Sequence, residues 1–149
     1  MKFTLNWLAD HLETTATLSE IVEALIQLGI EVESVETPSD RLRGFVVAEV
    51  VKTEPHPNAD RLTICQVKDG SGPLLQVVCG APNVKADIKV SLARVGTIIP
   101  ATGTALKASV IRGISSQGML CSAEELLLSQ PSQGILELHT DLPAGSELA

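Results

Sequence analysis

Glu54-Pro55-His56-Pro57-Asn58-Ala59-Asp60-Arg61-Leu62 joins two runs, Phe45–Thr53 and Leu62–Lys68, that each read as a short strand. Its two prolines remove backbone donors and fix φ on either side of His56, so the connection is rigid. Asn58 and Asp60 have side chains of the kind that bond nearby backbone N–H groups and hold a turn shut. A His beside an Asp also suggests general-base or metal chemistry. A base needs a nucleophile and an oxyanion site, and the sequence supplies neither. His56, Pro57, Asn58 and Asp60 are therefore read as a structural turn, with no catalytic residue and no metal site.

Downstream of this turn the pattern of short strands and turn signals continues. Further strands are expected near Leu74–Val78, Lys89–Ala93, Lys107–Ile111 and Ile135–Leu138, with turns at Asp69-Gly70-Ser71-Gly72 and Ala101-Thr102-Gly103. A short helix is expected at Ala123–Leu128, ahead of Pro131. Short strands in this number point to a compact Greek-key barrel of the OB type. Upstream, Thr4 can cap a helix that places Leu5, Leu8 and Leu12 on one face. Thr17 and Glu20 have capping-box spacing ahead of an apolar stripe at Leu18, Ile21, Val22, Leu25 and Leu28. Gly29 stops that helix, and Ile30–Glu36 alternates as a strand would. The expected class is α+β: an OB-fold five-stranded β-barrel over residues 39–149, preceded by a helix-helix-strand segment over 1–38. A segment that short buries too little surface to stand alone.

Composition narrows the function. Aromatic residues make up 2% of the chain, which removes base stacking as a main source of affinity. The net charge of −7 excludes a polycation. Its distribution is uneven: residues 39–112 hold ten bases and six acids, while both flanks are acidic. Cys65, Cys79 and Cys121 match no zinc spacing and read as small buried apolar residues. No apolar run has the length of a membrane span and no signal pattern follows Met1, so a soluble cytoplasmic protein is expected.

A second motif, Arg112-Gly113-Ile114-Ser115-Ser116-Gln117-Gly118-Met119-Leu120-Cys121-Ser122, brackets hydroxyls and an amide between glycines. Such a loop offers N–H and O–H donors beside Arg112, suited to a phosphate or a sugar edge. It reads equally as an ordinary loop that closes a barrel. It lacks the Lys-Ser/Thr of a P-loop, and Ser116 has no His base nearby in sequence. A third stretch, Val77-Val78-Cys79-Gly80-Ala81-Pro82-Asn83-Val84, reads as a buried strand ending in a turn.

HPNADRL from His56, VVCGAPN from Val77, and K-x-S-x-x-R-G-x-x-S-x-G-M-L-C-S from Lys107 together resemble the tRNA-binding OB domain of several aminoacyl-tRNA synthetases and free-standing tRNA-binding proteins. MKFTLNWLADHL at the start, followed by LIQLGIEVESVE from Leu25, is similar to the opening of the β subunit of bacterial phenylalanine–tRNA ligases. The resemblance implies a non-catalytic region contributing tRNA binding and subunit assembly. It implies that residues 1–38 are half of a domain completed by later chain, and that the sequence is part of a longer subunit. The implied partners are tRNA, the ligase α subunit and the rest of the β subunit; ATP and magnesium belong to the parent enzyme, and no cofactor is expected here. Carried across from the free-standing proteins, the RNA-contacting loop falls on Ser116, Gln117, Gly118 and Met119, with Arg112 beside them. Lys52, Lys85 and Lys107 join them as phosphate contacts by charge alone. The alternatives are a free-standing dimeric tRNA-binding protein and a purely structural interaction module.

Overall fold

The computed structural model describes residues 1–128 and 131–149. It divides into two compact units, Met1–Glu36 and Thr37–Ala149.

In the first unit, helix α1 spans Leu5–Ala9 and α2 spans Leu18–Gln27. The Thr4 hydroxyl accepts from the Trp7 N–H and starts α1, which ends before Leu12. A full capping box starts α2: Thr17 Oγ1 accepts from the Glu20 N–H, and Glu20 accepts from the Thr17 N–H at 2.7 Å. These bonds to Thr17, the backbone one foremost, hold the Glu20 carboxyl below its ordinary range. Gly29, at φ 81°, ends α2; the Ile30 N–H reaches back to Leu25 O and the Gly29 N–H to Ile26 O. The expected strand at Ile30–Glu36 does not form. The run is outside any ladder among the described residues, and an alternating pattern makes a strand only where a second strand pairs with it.

The second unit opens with a 3-10 helix at Pro38–Leu42. Nine strands follow among the described residues: β1 Phe45–Pro55, β2 Thr63–Lys68, β3 Leu75–Cys79, β4 Ile88–Arg94, β5 Ile98–Ile99, β6 Thr104–Ala105, β7 Ser109–Ile111, β8 Ile114–Ser116 and β9 Gly118–Leu120. An antiparallel sheet runs β3-β2-β1-β4-β9. β1 is long enough to pair β4 through Phe45–Val50 and β2 through Glu49–Pro55, with a register shift between Val50 and Lys52 that bends it from one neighbour to the other. The sheet curls until its ends meet. The Gln117 N–H donates to Gln76 O at 2.8 Å, and the Val78 N–H donates to Ser116 Oγ at 3.1 Å, which nearly closes the OB-type barrel.

Alternate residues of these strands fill the interior: Val46, Ala48 and Val50 from β1, Cys65 and Val67 from β2, Val77 from β3, Val90 and Leu92 from β4. A second cluster gathers Phe45, Ala93, Ile99, Cys121 and Leu126. The cysteines are free and buried. Burial pushes the Cys65 and Cys121 thiols up to about 12 and also raises Cys79, so all three remain protonated apolar filling.

Two expected elements beyond β9 take other forms. Ala123–Leu128 is a single turn rather than a helix. Ser122 and Glu125 form its cap, Ser122 N–H to Glu125 Oε2 at 2.7 Å. It stops at once, because Leu127 adopts φ 55° and the Leu128 N–H turns back to Ala123 O. Ile135–Leu138 is not a continuous strand: the Leu136 N–H goes to Cys121 O and the Leu138 N–H to Lys89 O, so the run changes neighbour within three residues. The chain then lies along the free edge of β1, where the Val47 N–H donates to Ser146 O at 2.8 Å. There Gly145 sits against Asp69 and Gly70 against Ala144, both glycines at positive φ, in a contact that a Cβ on either would break.

Candidate functional site

The two motifs that stand out in the sequence meet in the structure. His56 is buried and uses both ring nitrogens. Its Nδ1 accepts from the Asn58 N–H at 3.0 Å, so the proton sits on Nε2, which donates to Ile111 O at 3.0 Å. Asn58 Nδ2 donates to Arg112 O at 3.3 Å, and Arg112 Nη1 returns a bond to Asn58 O at 3.4 Å. The turn therefore grips the end of the β7–β8 hairpin. That hairpin turns through Arg112 at φ 49° and Gly113 at φ 87°, the double positive-φ geometry of a tight two-residue hairpin loop. A non-glycine residue held at positive φ is costly, and the bonds to Asn58 offset the strain. Asp60 does not share in this: its side chain makes no hydrogen bond among the described residues, and Asn58 bonds across 54 positions rather than to its own turn.

The hairpin leads into the barrel seam. Ser116 is buried; its Oγ accepts from the Val78 N–H and donates to Gly118 O at 3.1 Å. Gln117 accepts from the Gln76 N–H through its side chain and donates its own N–H to Gln76 O. Gly118 lies in β9 opposite Arg94, where a Cβ would come within 3.0 Å of Ala93 O. Met119 packs against the second apolar cluster. The stretch that reads as a donor-rich loop thus supplies the whole of β8 and of β9, and Ser116 and Gln117 spend polar groups on closing the barrel.

A groove of about 510 Å³ opens along this seam. One wall is the end of β3 with Gly80 and Ala81, and another is the Ser122–Glu125 turn. Gly134 and Ile135 close it, held by Asn83, whose amide gives Nδ2 to Ile135 O at 2.9 Å and takes the Ile135 N–H on Oδ1 at 3.0 Å. Lys107, Ser116, Gly118 and Met119 all line the groove. Three residues of the loop motif and one of the lysines named for its charge thus meet there.

The other sequence candidates lie off the groove. Lys52 forms an ion pair with Glu54, and Lys85 is exposed in the loop ahead of β4. Two cations of the basic middle segment are internal: Lys89 Nζ bonds Thr140 O and Leu142 O, and Arg94 holds Asp69 at 2.8 Å. The groove's acceptors, Glu124 and Glu125, escaped the sequence reading, although the Ser122/Glu125 capping spacing marks the turn that carries them. Among the described residues no group of three or more His, Cys, Asp and Glu side chains is arranged to hold a metal ion.

The curled antiparallel barrel closed by this motif is of the OB type. Residues 45–147 match the family described as "Putative tRNA binding domain", and the chain belongs to that family. Across its whole length it is similar to phenylalanine–tRNA ligase β subunits: 51% identical over 148 residues to that of Rhodospirillum rubrum and 53% over 145 residues to that of Rickettsia prowazekii. These alignments take in 99% and 97% of the chain, which spans about 18% of the length of either relative. In fold it resembles a protein related to methionyl-tRNA synthetase from Pyrococcus horikoshii, with TM-score 0.53 and 18% identity over 78% of this chain and 99% of that one.

Proposed function

We propose that this chain is a non-catalytic, tRNA-binding part of a phenylalanine–tRNA ligase β subunit, and that the seam groove is where it touches the RNA. The observation that carries this reading is the convergence of Lys107, Ser116, Gly118 and Met119 on one groove in a chain of a tRNA-binding family. In such an assembly, the chain's partners are tRNA, the α subunit and the remainder of the β subunit, and its place is the cytoplasm. Activation of phenylalanine, with ATP and magnesium, falls to other parts of that enzyme.

The affinity is expected to be electrostatic and modest. Aromatic platforms are absent from the groove, and the cations free to meet phosphates are few. Binding to tRNA across a salt series tests this directly. The log–log slope should be close to −1 for each phosphate neutralised, and Lys85→Ala and Lys107→Ala should each flatten it by about one. A chain with no affinity at low ionic strength would overturn the reading. It would leave the structural alternative, an interaction module, which one observation favours: none of the residues of α1 or α2 is buried, and Trp7, Ile26 and Leu28 are exposed.

A further inference from the structure

We infer that the seam groove takes a single unpaired nucleobase that carries an exocyclic amine, with Glu124 and Glu125 as its acceptors and Lys107 at the phosphate beside it. The inference rests on the tRNA reading above and narrows it. Phosphate alone is a poor occupant of this groove, because two carboxylates face it against one ammonium. Carboxylates in a nucleic-acid site accept from base N–H groups and repel carbonyl edges, so they select amines. Glu125 is already fixed, with Oε2 bound by the Ser122 N–H and its other oxygen free of protein donors among the described residues. Glu124 is exposed on the same turn, and its side chain has no role in the cap.

The lining agrees with the chemistry. It includes apolar groups of Cys79, Ala81, Leu120 and Ile135, suited to the face of a ring, together with Lys107. A base can enter only when it is unpaired, because in a duplex its amine is occupied and its ring stacked.

Cytosine and uracil are the same size and differ in the group presented to the carboxylates, an amine in one and a carbonyl in the other. Short oligocytidylate and oligouridylate of equal length are therefore titrated against the full chain at low salt, beside unfractionated tRNA. The expected result is about tenfold tighter binding of the cytidine oligomer, a preference that falls close to one in Glu124→Ala and is reduced in Glu124→Gln, which keeps the side-chain size. If tRNA binds while the two oligomers bind equally, or if the preference survives in both variants, the base reading is overturned and the tRNA reading stands. If nothing binds, tRNA included, both are overturned.

Discussion

His56 is the residue through which distant parts of the barrel hold one another. Both its nitrogens are used, one within its own turn and one on β7, 55 positions away. Replacing it with Ala leaves Ile111 O and the Asn58 N–H without partners in a site that water reaches poorly. The expected cost is about 2–4 kcal/mol, the sum of two lost bonds and a small cavity. Urea unfolding followed by circular dichroism measures it, and a loss below about 0.5 kcal/mol would show that the contact contributes nothing. His56→Gln, which can still donate to one carbonyl, should recover part of the loss. The sequence makes the rigidity of this turn legible through its prolines. It hides the target, because nothing local indicates that Asn58 reaches Arg112 rather than its own backbone. The same limit applies to Ser116, whose hydroxyl looks available on paper and is consumed by Val78 and Gly118.

Among the elements, the turn after β2 carries an ion pair with a fully buried carboxylate. Asp69 is 2% exposed. Burial alone would raise its pKa, but the Ser71 hydroxyl and N–H and the Arg94 guanidinium outweigh that and hold it below the ordinary aspartate range. A carboxyl lowered in the folded state adds stability that is complete above its unfolded value, near 4, and is lost as pH falls through the folded value. Asp69→Asn should therefore cost about 1–2 kcal/mol at pH 7, and the gap between variant and wild type should close as the pH is taken below about 4. Thermal melts at pH 7, 5 and 3 test this; a gap that stays constant across that range would refute it. The barrel strands β1 to β4 are legible from the sequence within a residue or two, because their alternation and turn signals are local. Strand β9 is not, since Gly118-Met119-Leu120 has a glycine where a side chain would strike Ala93 O, and becomes a strand only because β4 offers an edge. The helix expected at Ala123–Leu128 fails for the converse reason: a good cap starts it, and Leu127 in the left-handed region stops it after one turn.

At the scale of the whole molecule, the contrast lies between a unit with an interior and a unit without one. Among the described residues, Thr37–Ala149 contains every buried apolar side chain, gathered in the barrel and the cluster around Phe45. In Met1–Glu36 the α2 stripe leads into an apolar groove of about 570 Å³ beside Leu18, Val22, Ile26 and Val35, open rather than filled. Helix capping and hydrogen bonds within a helix as short as α2 cannot hold it against fraying, since isolated helices of this length are marginal in water. Local opening free energies follow burial, so the two units should differ in amide exchange by far more than their secondary structure suggests. The amides of Ile21–Gln27 should exchange within seconds to minutes at neutral pH. Those of Val46–Val50 and Val90–Leu92, enclosed by ladder bonds and core side chains, should last hours. Exchange of intact chain followed by mass spectrometry of peptides resolves the two classes. Equal protection of α2 and β1 would mean that the helices are stabilised by burial this structure does not contain. The sequence anticipates this asymmetry in its own terms: the capping boxes and stripe specify where the helices start and which side is apolar, while the small size of the segment limits how much of that side can be covered. Charge follows this division only in part: residues 1–38 hold one base against seven acids, the excess of bases lies in residues 39–112, and residues 113–149 hold five acids and no base. A polyanion is therefore attracted by the cations of residues 39–112 rather than by the helical unit, and this is why the salt dependence of tRNA binding should respond to Lys85 and Lys107 and not to Lys2, whose charge is paired with Glu36 at 2.9 Å.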